Sequence, residues 1–304
     1  MIEILRPGPL TTVQDLGRPG HAARGVGAGG AADRGSLRLA NRLVGNAESA
    51  AALEMTCGGL TVRFHAPITL ALTGAPCPAT LDGRQIGMNG PVHAASGQEL
   101  TVGFPSRALR TYLAVRGGID IPPVLGSRST DTLSGIGPAP LGAGIHLPTG
   151  TAALRFPPTD FAPRREFQHQ PVLHIVPGPR NDWFTPEALT TLCTSAYEVT
   201  ADSNRVGARL AGPPLVRVIH HELPPEGMVR GALQIPPNGQ PVLFLADHPV
   251  TGGYPVMAVV HEADLDQAAQ LRPGQTVRFR TSPRRRTTRP RSCSVTSPPR
   301  LRTG

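Results

Sequence analysis

The sequence predicts a mainly β protein of two domains, and three observations carry that reading. Short alternating apolar runs bounded by turn residues recur along the chain, whereas helical periodicity is confined to three places. Glycine and proline fill 69 of the 304 positions, 35 and 34 respectively, which is too many for a helical bundle because both interrupt helices. The length allows one large or two ordinary domains of about 100–200 residues, each able to bury a core, and so excludes fibrous and wholly disordered chains.

In chain order, the first helical pattern is AADRGSLRLANRLV, residues 31–44. Leu37, Ala40, Leu43 and Val44 recur at helical spacing, Asp33 is placed to cap the start, and Gly45 to stop the end. β-Branched content and length predict strands at GLTVRF (59–64), ITLALT (68–73), ELTVGF (99–104) and TYLAV (111–115). The polar stretch PPTDFAPRREFQHQ (157–170) reads as a linker. Beyond it lie a strand at VLHIV (172–176), a helix at 186–194, a strand at PVLFL (241–245), a helix at 263–271 closed by Pro273-Gly274, and a strand at TVRF (276–279).

Two turn-to-strand passages repeat across the linker. EMTCGGLTVRF (54–64) echoes RLAGPPLVRV (209–218), and GQELTVGF (97–104) echoes GQTVRF (274–279). The expected organisation is a domain over 1–160, a second over 168–280, and a tail over 281–304. That tail, of Arg, Pro, Ser and Thr, buries too little surface to offset its ordering entropy and is expected to be disordered.

The formal charge of +9 dissolves once it is located. The tail holds seven arginines and no acid, leaving 23 basic against 21 acidic residues in the first 280. A nearly neutral globular part points to neither nucleic acid nor a membrane. All 30 basic residues are arginine, so a P-loop lysine, a Schiff-base lysine and a lysine carrying biotin or lipoate are excluded. Cys57, Cys77, Cys193 and Cys293 form no C-x-x-C pair and have no Cys or His at zinc spacing, which fits a reducing compartment. The start, MIEILRPGP, lacks an apolar h-region, and no 18-residue apolar run follows; a soluble cytoplasmic protein is expected.

GVGAGG (25–30) matches G-x-G-x-x-G, but the preceding PGHAAR is no buried strand and no βαβ frame follows, so a loop that approaches a ligand closely is the better use of these glycines. Among the histidines only His220-His221-Glu222 clusters, and neighbours on a strand face opposite ways, so the sequence assigns no metal. Four segments set Arg, Asp, Ser, Thr or Asn beside Gly or Pro at strand ends: QDLGRPG (14–20), RGGIDIPPVLGSRSTD (116–131), SNRVG (203–207) and GALQIPPNGQPVLFLADHPVTGGY (231–254). Such residues cap turns, and they also line pockets; four together favour a shared pocket.

The succession TTVQDLGRPG, LANRLVGN, ALTGAP, YLAVRGGIDIPPVLGSRSTD, ADSNRVGARLAGPPL, EGMVRGALQIPPNGQPVLFLADHPVTGGYP and LRPGQTVRF resembles the biotin-dependent carboxyltransferase family, from about Ile2 to Phe279. That family holds the C-type subunits of 5-oxoprolinase, allophanate-hydrolase-type second subunits and the carboxyltransferase part of urea amidolyase. The resemblance implies tandem cyclophilin-like β-barrel domains with a few short helices and a pocket between them. It also implies a close partner, a B-type subunit homologue, together with an A-type subunit homologue, the three opening 5-oxo-L-proline to L-glutamate with ATP. Two alternatives stay open: a carboxyltransferase component that takes carboxybiotin from another protein, and a regulatory binding protein that antagonises a kinase inhibitor. The chain departs from the family pattern at Pro225, where a Ser is frequent before Glu-Gly, and at 248–251, where Gln-Thr-Thr is frequent.

A lactam carbonyl is a poor electrophile because of amide resonance, and phosphorylation of its oxygen makes that oxygen a leaving group. Such chemistry needs cationic donors and a grip on the substrate carboxylate, which the planar guanidinium supplies in bidentate fashion. The candidate catalytic residues are Asp15, Arg18, Arg116, Arg128 and Asp247, the acids orienting arginines or serving as base. The candidate substrate-binding residues are Gln14, Ser127, Ser129, Thr130, Asn204, Arg205, Gln234, Thr251, Gly252, Gly253 and Tyr254.

Overall fold

The computed structural model describes residues 1–152 and 154–282. Two strand systems follow one another along the chain. In the first, a six-stranded sheet and a five-stranded sheet face each other. The six run His146–Leu147, Ile2–Arg6, Thr61–Phe64, Glu99–Val102, Ala79–Leu81 and Arg84–Gln85; the five run Leu10–Gln14, Ala52–Thr56, Arg110–Val115, Ile68–Gly74 and Pro91–Ala94. Alternation sends Ile2, Ile4, Val62, Phe64, Leu53, Met55, Leu70 and Leu113 into the core between them.

In the second system seven strands close into a barrel: Val172–Pro177, Val256–Val260, Ala232–Gln234, Val242–Phe244, Gly207–Ala211, Ala196–Val199 and Thr276–Thr281. Closure comes from parallel pairing of Val172–Pro177 with the last strand, which leaves no open edge. Leu173, Ile175, Tyr197, Leu233, Leu243, Val277 and Phe279 fill its interior. The expected mainly β architecture with few short helices is what the chain adopts. Thr281 still belongs to the last strand, and the rest of the predicted tail, from residue 283, lies outside the described residues.

The three predicted helices form: α1 (Arg34–Leu43), α2 (Pro186–Thr194) and α3 (Glu262–Ala268). Asp33 caps α1 as its sequence position predicts, accepting from Ser36 N. Helix α1 lies on the outer face of the five-stranded sheet, covering Ala52, Ala71, Tyr112 and Ala114 with Leu37, Ala40 and Leu43. No helix among the described residues is long and apolar enough to cross a membrane.

The two systems meet through α1 and α3. Asp266 on α3 accepts from Arg34 N and Gly35 N, both at 3.0 Å, so a carboxylate of the second system satisfies orphan N–H groups at the start of a helix of the first. Gln270 crosses the same seam with all its groups engaged. Its Oε1 accepts from Leu109 N and Arg110 N, and its Nε2 donates to Asp33 Oδ2 and Arg110 O.

Gln270→Ala leaves two buried N–H groups and a buried carboxylate oxygen without that partner, each costing about 1–3 kcal/mol. Differential scanning calorimetry should show a lowered midpoint with the transition broadened or split; an unchanged single transition would show that Gln270 does not couple the two systems.

Candidate functional site

Residues from all four polar segments meet where the strand systems join. QDLGRPG follows the strand Leu10–Gln14 and runs beside GSRSTD, to which Asp15 binds it. Asp15 Oδ1 accepts from Ser127 Oγ at 2.6 Å, Ser129 Oγ at 2.5 Å and Gly17 N at 2.7 Å, and Oδ2 accepts from Arg128 N at 2.6 Å. Both oxygens are thus engaged, and the geometry makes Asp15 the organiser of the loop pair rather than a free base.

The glycine loop 25–30 lies over this pair. Ala28 O accepts from Arg18 N, and Asp15 O accepts from Ala31 N. Gly30 has φ +90°, and a Cβ there would stand 2.7 Å from Gly17 N, so backbone meets backbone too closely for any side chain. The close approach predicted for this loop exists, with a neighbouring loop as the party approached.

Arg205 and Asp247 lie at the centre of the seam. Asp247 accepts a bidentate fork from Arg205, Nε to Oδ2 and Nη2 to Oδ1, both at 2.9 Å. Thr132, directly after GSRSTD, donates its N–H and hydroxyl to Asp247 Oδ2 at 2.9 and 2.8 Å. Arg205 also donates to Glu54 Oε1 and to Gly30 O. Burial works against the Arg205 charge, but Glu54 and then Asp247 outweigh it and hold its pKa above the ordinary arginine value. Glu54 in turn accepts from Ala32 N and from Tyr112 Oη at 2.7 Å, and burial first, then Glu54, pushes the Tyr112 phenol well up.

Arg18 differs from Arg205. It is 1% exposed and, among the described residues, its side chain donates only to neutral main-chain oxygens, Nε to Val124 O at 3.4 Å and Nη2 to Ser129 O. Among the described residues its Nη1 has no hydrogen-bond partner. Gln14 Oε1, at the end of the strand Leu10–Gln14, and Thr130 Oγ1 are buried and also without partners among the described residues, although Gln14 Nε2 donates to Thr12 Oγ1 and Thr130 O. A buried cation beside unmet polar atoms is the setting that an anionic, hydrogen-bonding ligand relieves.

The remaining candidates lie elsewhere. Arg116 donates to Val44 O and Leu154 O and stacks on Phe156, tying α1 to the chain before the linker. The Arg128 side chain turns outward to Ile121 O and Asp120, although its N–H holds Asp15. Asn204 is exposed and closes a turn by accepting from Val206 N, the turn-capping role open to it from sequence. Gln234 donates to Tyr254 O at 3.1 Å, while Thr251–Gly252 pairs with Glu226–Gly227. Thr251, Gly253 and Tyr254 are exposed, and Arg217 lies over the Tyr254 ring at 5.9 Å. The link from the GSRSTD loop to the segment that carries TGGYP is the pair Thr132–Asp247, four residues before Thr251. The cavity of about 740 Å³, lined by Ser36, Arg107 and Arg165 among others, contains none of the candidates.

Glu54, Thr132, Tyr112 and Gln270 were not anticipated. Glu54 carried a signal: an acid in ALEMT, a strand otherwise free of charge and buried from Ala52 to Met55, requires a buried partner.

Set against known proteins, residues 24–281 match the model of the carboxyltransferase domain, subdomain A and B. The chain is 40% identical over 282 residues to the C subunit of 5-oxoprolinase from Escherichia coli (strain K12), covering 92% of this chain and 90% of that one. It is 33% identical to urea amidolyase of Lachancea kluyveri, covering 91% of this chain but only 17% of the relative. The solved K. lactis urea amidolyase superposes with a TM-score of 0.85 at 32% identity, over 91% of this chain and 18% of that one.

Two outcomes follow from the seam. Arg205→Leu strands two buried carboxylates and should destabilise the fold by about 3–5 kcal/mol in chemical denaturation, against less than about 1 for a surface arginine. His248, beside Asp247, has its pKa lowered by burial, so the folded chain refuses a proton that the unfolded chain takes up. Stability should therefore fall as pH drops below about 6.5, and His248→Gln should flatten that slope; equal slopes would refute the assignment.

Proposed function

The chain belongs to the carboxyltransferase-domain family, and from that premise we propose that it is the C subunit of an ATP-dependent 5-oxoprolinase. It acts with A-type and B-type subunit homologues in the cytoplasm to open 5-oxo-L-proline to L-glutamate. The observation that carries this reading is the 40% identity to the C subunit of 5-oxoprolinase, extending over 90% of that protein. Urea amidolyase, by contrast, is several times longer than the matched part, and a chain without lysine carries no biotin of its own.

The loop cluster supports the reading chemically. 5-Oxoproline offers a carboxylate, a lactam N–H and a lactam carbonyl. Arg18, a buried cation bonded among the described residues to neutral oxygens, suits the carboxylate or the charge that gathers as the carbonyl oxygen is phosphorylated. Gln14 Oε1 is an acceptor suited to the N–H, and the Thr130 hydroxyl can donate. Asp15, Ser127 and Ser129 hold the loops that carry these groups, so the site is organised before substrate arrives.

Thr130→Val tests this without removing a hydrogen bond of the fold, since the hydroxyl has no partner among the described residues. In the reconstituted complex of all three proteins, glutamate release from 5-oxoproline should fall at least about tenfold in kcat/KM, about 1.4 kcal/mol, with an unchanged circular dichroism spectrum. Undiminished turnover would remove Thr130 from the site. A wild-type complex that consumes no ATP with 5-oxoproline would overturn the function itself.

A further inference from the structure

Away from this site, three ligating side chains meet on the outer face of the six-stranded sheet. Alternation along Ile2–Arg6 buries Ile2 and Ile4 and turns Glu3 outward. Across the ladder, Glu3 stands opposite His146 on one side and opposite Arg63 on the other. His65, two residues beyond Arg63, shares that face. Main-chain bonds from Ile4 N to Ile145 O and from His65 N to Met1 O fix the backbones that carry them.

The side chains already touch. Glu3 Oε2 lies 3.0 Å from His65 Nε2, and the imidazoles of His65 and His146 stack with centroids 5.6 Å apart. One ligand atom from each of the three lies within 4.8 Å of the others. An ion with bonds of about 2.0–2.2 Å holds its ligands roughly 3–4 Å apart, within reach of small side-chain rotations. His146 Nδ1 faces Gly144 O at 3.0 Å, a contact that places the proton on Nδ1 and leaves the Nε2 lone pair free. Arg63 does not monopolise Glu3. Its Nε and Nη2 donate to Glu99 Oε1 at 3.2 and 2.6 Å, while its Nη1 is 3.4 Å from Glu3.

We propose that Glu3, His65 and His146 bind a divalent transition-metal ion of the zinc class, with a fourth position open to water. Two imidazoles and one carboxylate favour such an ion over Mg²⁺ or Ca²⁺, which prefer all-oxygen ligation. The ion would clamp the first strand to both neighbours, including the two-residue strand His146–Leu147 at the sheet edge.

The test titrates Zn²⁺ into the full-length, chelator-stripped chain by calorimetry, beside His65→Ala and His146→Ala. Both histidines are exposed, so the variants should keep the fold, which circular dichroism checks. Wild type should bind one equivalent that each variant loses or binds at least about tenfold more weakly. Zn²⁺ should raise the thermal midpoint of wild type and not of the variants, and Mg²⁺ should raise neither. Zinc bound elsewhere on the chain is common to all three proteins and cancels in the comparison. A wild type that takes up no Zn²⁺, or variants that keep the same equivalents and affinity, would overturn the proposal.

Discussion

The arrangement of the molecule depends on one buried guanidinium. Arg205, from the second strand system, is clasped by Asp247 of its own barrel and by Glu54 of the first sheet pair. Arg110 adds a second cation 3.5 Å from Glu54, so two guanidiniums and two carboxylates meet around Glu54 and Asp247. Burial lowers the Arg110 pKa, and Glu54 is the main influence opposing it. An apolar seam of equal area could be as stable, since desolvation consumes much of the Coulomb gain. It would not define one relative position. A bidentate fork has one geometry, and that geometry brings Gly30, Thr132 and Asp247 to the same place.

Much of the fold was legible in the sequence because strand alternation and helix punctuation are local. All three helical patterns and every strand predicted from a run of apolar residues formed, with ends moved by a few residues: 31–44 became Arg34–Leu43, and 59–64 became Thr61–Phe64. Strands as short as Ala79–Leu81 and Ala232–Gln234 carry too few residues to show a period, so their pairing partners alone define them. The contrast between two facing sheets and a closed barrel was equally beyond local pattern, because closure depends on residues about a hundred positions apart, Val172 beside Arg278.

The site was legible in part, and the part that was not has a common cause. Segments containing Gln14, Asp15, Ser127, Ser129, Thr130, Arg205 and Asp247 come together, but composition does not distinguish a residue that builds a loop from one that faces a ligand. Asp15, with four donors on two oxygens, is a builder. Arg116 and Arg128 look the same in sequence as Arg18, yet their side chains close main-chain carbonyls at the rim. The histidine cluster was invisible for the same reason, since Glu3 meets His65 and His146 in the sheet from far away along the chain.

A chain whose only strong cation is arginine must use one side chain for architecture and for anion binding, and charge compensation separates the two uses. Arg205 is surrounded by carboxylates, so a substrate anion would gain little there and would meet the field of Glu54 and Asp247. Arg18 is as deeply buried, yet its partners are dipoles and it keeps an idle Nη1. A buried charge whose hydrogen bonds are incomplete is costly until a further partner joins it. This difference in partners is what makes Arg18, and not Arg205, the candidate anion-binding group of the proposal. The organiser, Arg205, and the proposed anion-binding group, Arg18, are then separate arginines, and weakening the first disturbs the second through the loops between them.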